Sequence, residues 1–254
     1  MQNPEQSLKF VLVEKDLEEK FKFIENQNYE ISKIKENEIL LKDIQHQLDT
    51  MNTYETKIAS RSITNILASI NYYETNMDDY VSMNNIRDEY MADNVKWISK
   101  FEEDRGNDLI FISGHNEHIA KEGRFYKTLG FHLNKIYKDA YLAIGTDFYK
   151  TTVNINNIGA DNKRSNHSFV SADPLAYNAK NFDGIYYIDF DNVNDGATKN
   201  IINSDMNMGS LGEGYSPLMT FIPTSYRINQ RPTDLYDSMI FVYEASPISV
   251  LDGN

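Results

Sequence analysis

Two of the chain's five histidines fall in one short segment, G-H-N-E-H at Gly114–His118. Imidazole exchanges a proton near neutral pH, so His115 and His118 are candidates for general acid or base work. The plainer alternative has one histidine capping the next helix and the other packing on a sheet, and a pair placed at a strand tip favours chemistry over that alternative. The same residues with Glu117 or Glu122 could offer nitrogen and oxygen ligands to a metal. H-x-x-H is a weak metal signal and H-E-x-x-H is absent, so neither a metal nor another cofactor is expected. His46, His132 and His167 suggest no role. Arg87, in I-R-D-E-Y-M-A-D-N at Ile86–Asn94, is the second candidate. A cation near a helix start opposes the helix dipole unless it serves something else. Helical spacing puts Arg87, Met91 and Asn94 on one face. Read alone, the segment favours a solvated Arg87 paired with Asp88 or Glu89.

These groups need elements to hold them. From Glu5 to Arg105 there is neither glycine nor proline, whereas all twelve glycines lie from Gly106 onward. A stretch without the two main structure breakers reads as helical. Val13, Leu17, Phe21 and Ile24 form one apolar stripe, and Leu41, Ile44, Leu48 and Met51 another. Ile58, Ile66, Ile70 and Tyr73 continue the apolar faces toward a break at Tyr73–Asn76. N-Q-N at Asn26–Asn28 predicts a turn. Glu55 and Ser62 on the seam argue against a coiled coil. A further helix is predicted from about Asn85 to Asp104, stopped by Gly106.

The pattern then changes. Leu109–Ser113 (L-I-F-I-S) predicts a strand buried on both faces, Gly114–Gly123 a polar turn, Arg124–Lys138 a helix, and Tyr141–Phe148 a second strand. Together they make a βαβ unit with parallel strands, whose carboxyl ends are where ligands bind in such sheets. Gly184–Phe190 and Ser238–Glu244 predict two more strands, separated by polar stretches at Asn154–Asn166 and Asp191–Tyr215. The expected class is α/β: a helical region, 1–105, then a mainly parallel and incomplete sheet in 106–254, the two packed as one unit.

Composition narrows the function. The 254 residues carry 25 Lys and Arg against 38 Asp and Glu, a formal charge of -13. Such a surface repels phosphate backbones and anionic lipid, so neither nucleic acid nor a membrane is an expected partner. The absence of cysteine excludes thiol nucleophiles, disulfides and Cys-ligated metals. No apolar run is long enough to span a bilayer, and M-Q-N-P-E-Q does not open a signal peptide, so a cytoplasmic protein is expected. Walker, G-x-S-x-G and Gly-rich phosphate motifs are absent from the sequence.

The segments I-R-D-E-Y-M-A-D-N-V-K-W-I (Ile86–Ile98) and L-I-F-I-S-G-H-N-E-H-I-A-K (Leu109–Lys121) resemble the erythromycin esterase family. L-G-F-H-L at Leu129–Leu133, A-Y-L-A-I-G-T-D-F at Ala140–Phe148 and Y-D-S-M-I-F-V-Y-E-A-S-P at Tyr236–Pro247 continue the likeness in the family's order. The resemblance implies a hydrolase that opens a macrolide lactone, or another small-molecule ester, by water attack without a metal. It implies catalytic roles for His115 and Arg87, with His118 shaping the site; Asn116 and Asn94, on the same segments, are the substrate-binding candidates. On that reading His115 polarises or protonates the ester while Arg87 stabilises the negative charge of the intermediate. The family's early G-E-x-x-H segment has no counterpart here: the nearest string, G-E-G-Y at Gly212–Tyr215, lacks histidine. The expectation is therefore a truncated, weakly active or inactive homologue whose exposed sheet edge invites dimerisation. The alternatives are a non-catalytic binding or assembly module and a His-ligated metal hydrolase.

Overall fold

The computed structural model describes residues 32–75, 79–158, 163–194, 196–212 and 214–248. The Val13–Ile24 stripe and the Asn26–Asn28 turn lie outside the described residues. The chain divides into two compact units, Met1–Asp108 and Leu109–Asn254.

In the first unit, α1 (Ser32–Met51) and α2 (Tyr54–Glu74) pack through their apolar stripes, burying Leu41, Ile44, Leu48, Ile63 and Ile70 in one cluster. The break between them was not evident from periodicity. It sits at Asn52, which takes a positive φ of 50°. Thr53 then opens α2 with a capping box, its hydroxyl accepting the Thr56 N–H while Thr56 returns a bond to the Thr53 N–H. Helix α3 (Tyr80–Glu103) starts at Asp79, whose carboxylate accepts the Ser82 N–H at 3.0 Å. It ends as the sequence predicts, with Gly106 in the left-handed region at φ 88°.

The second unit holds a one-turn helix α4 (Asn116–Ile119), α5 (Leu129–Tyr137), β1 (Ile144–Asn157), β2 (Arg164–Val170), α6 (Pro174–Asn178), β3 (Ile185–Asp189), α7 (Gly196–Ile202), β4 (Met206–Gly209), β5 (Gly214–Tyr215), β6 (Arg227–Gln230), α8 (Pro232–Leu235) and β7 (Ser238–Ala245). The main sheet has the order β2-β1-β7-β3, with β5 also on β1, and β4 pairs β6 in a second sheet. Strands β1 and β7 run parallel, Ile144 opposite Ser238. The β1–β2, β3–β7 and β4–β6 pairings are antiparallel. The α/β class holds, with a parallel pair at the centre of a mixed sheet. One face carries the core, where Met239 and Phe241 of β7 are fully buried with Ala176, Ile202 and Leu235.

Two local expectations are corrected. Leu109–Ser113 forms no strand among the described residues, so the βαβ unit built on it does not form. Leu109 is 86% and Phe111 89% exposed. A strand buried on both faces needs neighbours to bury it, and the nearby edge of β1 is occupied instead: Asn116 bonds both backbone groups of Thr146. The Asn-rich stretch Asn154–Asn166, expected as a loop, supplies the ends of β1 and β2. Polar side chains alternate on that hairpin, Asn154 bonding Asn166 and Thr152 bonding Ser168 across it, which hides a strand from an apolar-pattern reading.

Candidate functional site

Helix α4 is too short to hold itself, and side chains from four directions fix it. The Asn116 carboxamide donates to the Thr146 carbonyl and accepts the Thr146 N–H (3.1 Å) and hydroxyl (3.2 Å). Tyr236 donates to the Asn116 carbonyl at 3.3 Å, Tyr141 to the Ile119 carbonyl at 2.6 Å and Thr128 to the Ala120 carbonyl at 2.7 Å. Thr128 also caps α5 by accepting the Phe131 N–H, which welds the two helices end to end. Burial holds the phenols neutral: it pushes Tyr141 up to about 12, helped by the Asp237 charge, and pushes Tyr236 higher still.

His115 precedes this turn as its cap. Its Nδ1 accepts the Glu117 N–H at 3.4 Å, and its Nε2 lies 2.8 Å from the Leu211 carbonyl. A carbonyl only accepts, so this geometry calls for the neutral tautomer with the proton on Nε2. Both ring nitrogens are thus engaged by backbone, Nε2 as the donor. His118 is half-buried on the same turn.

Beside α4 lies a small open cleft lined by Asn116, Glu117, Glu122, Arg124, Ser210 and Tyr236 among others. Neither His115 nor His118 is among its lining residues. Glu117 and Glu122 arose in the sequence only as conceivable metal ligands. Ser210 gave no signal and Tyr236 only opened a family-like segment, because long-range folding brings them here. Among the described residues no group of three or more His, Asp or Glu side chains could hold a metal ion. The His-ligated metal reading therefore has no ligand set there.

The other two candidates belong to the first unit. Arg87 is exposed on α3, and its guanidinium makes no hydrogen bond or ion pair among the described residues, so the pairing with Asp88 or Glu89 does not form. Asp88 itself is fully buried. Asn94, proposed for substrate, accepts from Arg61 Nε at 2.9 Å, while Arg61 also pairs with Asp93 at 2.9 Å and lies over the Trp97 ring. Its carboxamide oxygen thus ties α2 to α3. His115, His118 and Asn116 share one turn of helix, and Arg87 and Asn94 share one longer helix.

No helix of the described residues is long and apolar enough to cross a membrane. Three solved structures share the fold. A Bacillus cereus protein aligns with a TM-score of 0.71 at 20% identity, over 88% of this chain and 55% of its own. A succinoglycan biosynthesis protein aligns with a TM-score of 0.73 at 14% identity, over 97% of this chain and 59% of its own. A mutant of the erythromycin esterase EreC in its open conformation aligns at 0.50 and 13% identity, over 89% and 55%. The chain thus spans little more than half the length of the structures it matches. No curated protein sequence matches it. The sequence model of the erythromycin esterase family matches residues 13–245, and the chain belongs to that family.

Proposed function

We propose that this chain contributes to a hydrolase of small-molecule esters or lactones, with His115 as the donor to the reacting ester. The observation that carries the reading is the family match across residues 13–245, which contains the G-H-N-E-H segment. The neutral Nε2–H tautomer suits a group that polarises an ester carbonyl by hydrogen bonding while keeping its own proton, the leaving oxygen taking the proton that a carboxylate has accepted from water. To do so it must exchange the Leu211 carbonyl for substrate. In the cleft, Glu117 and Glu122 are the groups able to accept a proton from water. Asn116 acts through its grip on Thr146, and His118 shapes the turn. Arg87, uncommitted to any partner among the described residues, is the candidate for stabilising negative charge. With no counterpart of the G-E-x-x-H segment in the sequence, activity of this chain alone is expected to be weak, since losing one member of a cooperating set removes most of a rate.

The test is hydrolysis of a macrolide lactone and of a simple aryl ester by the chain and by His115→Ala. At least a tenfold loss in the variant is expected, and equal rates would remove His115 from the mechanism. Arg87→Gln is assayed separately, with a smaller expected loss. One observation favours a second reading, a binding module without catalysis: both His115 nitrogens are already satisfied by backbone. Binding of the intact ester without turnover, unchanged by His115→Ala, would select that reading.

A further inference from the structure

Behind the cleft wall two carboxyl groups meet in the core. Asp147, on β1, is 3% exposed and Asp173 is fully buried. Asp147 accepts the Phe148 N–H at 2.7 Å and the Gly209 N–H at 3.0 Å. Asp173 caps α6 through one oxygen, Oδ1, which accepts the Leu175 N–H at 2.7 Å and the Ala176 N–H at 3.2 Å. Its other oxygen, Oδ2, is buried with no hydrogen-bond partner, and Ser171, which bridges the Phe148 carbonyl to the Asp173 N–H, brings this carboxyl beside that of Asp147, near enough for each to act on the other. The turn that delivers Asp173 is built for this approach. Ala172 sits at φ 70°, a region that side-chain-bearing residues rarely adopt. Ser171 accepts the Asp173 N–H at 3.1 Å and donates its hydroxyl to the Phe148 carbonyl. The other titratable groups facing the pair are phenols: Tyr236 toward Asp147 and Tyr186 toward Asp173, with Glu117 beyond Tyr236. Neither carboxyl has an ion pair among the described residues. Two neighbouring buried carboxylates without a cation do not both stay ionised in a low-dielectric interior.

We propose that Asp147 and Asp173 share one proton at neutral pH and that this acid pair is the positioning element for the Gly209–Leu211 wall of the cleft. The inference rests on the cleft beside α4 being the working site. The path is short. Asp147 holds the Gly209 N–H, Ser210 lines the cleft, and the Leu211 carbonyl receives His115 Nε2–H. Gly209 has to be glycine for that approach: a Cβ there would lie 2.8 Å from Asp147 Oδ1 and 2.7 Å from the Phe148 ring. Burial first, then contact with Asp173, pushes the Asp147 carboxyl well above the usual carboxylate range. A raised folded-state value means the folded chain holds a proton that the unfolded chain has released. The stabilisation is complete below the ordinary carboxylate pKa and is lost as pH rises toward the folded value. Across that window the folding constant falls by up to about tenfold per pH unit.

Infrared spectroscopy of the full chain with 13C-labelled aspartate tests the proton directly. At pH 7 a protonated-carboxyl C=O band is expected in the wild type and not in Asp147→Asn, whose carboxamide donates to Asp173 without a titrating proton. Asp173→Asn is expected to weaken the band and bring its loss to lower pH, because a neutral donor replaces the second carboxyl while Asp147 stays buried, and it serves if Asp147→Asn does not fold. A wild type with every aspartate ionised at pH 7 would overturn the proposal. Positioning is read by amide hydrogen exchange at Gly209: beyond the intrinsic pH dependence of exchange, its protection should fall as pH rises in the wild type and stay level in Asp147→Asn. Parallel behaviour in both would overturn that half. If His115→Ala hydrolyses esters normally while the band persists, the assignment of the working site fails and the shared proton stands.

Discussion

The L-I-F-I-S run at Leu109–Ser113 and the M-I-F-V run of β7 are nearly interchangeable as sequences. Strand β7 lies between β1 and β3, with Met239 and Phe241 fully buried. Leu109–Ser113 pairs with no strand among the described residues and leaves Phe111 89% exposed. What separates them is neighbours: an apolar strand is stable where both edges find backbone partners and both faces find cover. The sharpest way to break this comparison is to truncate the same side chain in each. Phe241→Ala should cost about 3–5 kcal/mol, the usual range for emptying a buried aromatic site. Phe111→Ala should stay within about 0.5 kcal/mol, as exposed positions do. Urea unfolding followed by circular dichroism measures both, and equal losses would mean that Phe111 is covered in solution.

The comparison also marks how far the sequence could be read. Periodicity located α1 and α2 because parts of their stripes meet, as Leu41, Ile44 and Leu48 do with Ile70, whereas Met51 and Ile58 of the same stripes are exposed and the buried Ile63 was not on them. It missed the break at Asn52, where the signal was the T-x-x-T capping pattern at Thr53–Thr56 rather than any change in polarity. Residue type identified G-H-N-E-H as a special segment, and in the structure His115 stands as a helix cap with both nitrogens taken by backbone, the use that the residues alone ranked second. The acid pair was not legible, because Asp147 and Asp173 become partners only when the turn at Ala172 folds back over β1.

A second test asks whether α4 depends on its neighbours as β7 does. Gly130 of α5 packs so closely on the end of α4 that an added Cβ would lie 2.2 Å from the Ile119 carbonyl oxygen and 2.4 Å from that of Ala120. Both obstacles are backbone, so one helix must move. Gly130→Ala should cost about 1–3 kcal/mol, the range for overpacking, and should raise hydrogen exchange across Asn116–Ala120. Normal exchange there would show that the anchors from Thr146, Tyr141 and Tyr236 suffice without α5.

A milder test sets the two candidate substrate-binding asparagines against each other. Asn116→Ala removes three hydrogen bonds to Thr146, on a stretch of the β1 edge that meets no other strand among the described residues, and should cost about 1–2 kcal/mol. Asn94→Ala leaves Arg61 still paired with Asp93 and should cost about 0.5–1 kcal/mol. If either asparagine instead contacts substrate, its variant should raise KM by more than its loss of stability explains. Ester binding measured beside thermal unfolding separates the two effects.

The smallest effect on stability belongs to Phe111→Ser, and its consequence lies elsewhere. Leu109 and Phe111 place two large apolar side chains in water on a segment without strand partners among the described residues, an arrangement that attracts other apolar edges. Replacing one ring by a hydroxyl should leave the unfolding midpoint within about 0.5 kcal/mol of the wild type, because little buried surface is lost. Association between copies should weaken, since it would draw on the exposed rings rather than on the folded core. Sedimentation velocity over a range of concentrations reads this directly. A wild-type chain that associates and a Phe111→Ser chain that does so less would assign the contact to Leu109–Ser113. Equal association would move it to the sheet edge at β3, where Ile185 and Tyr187 are also exposed.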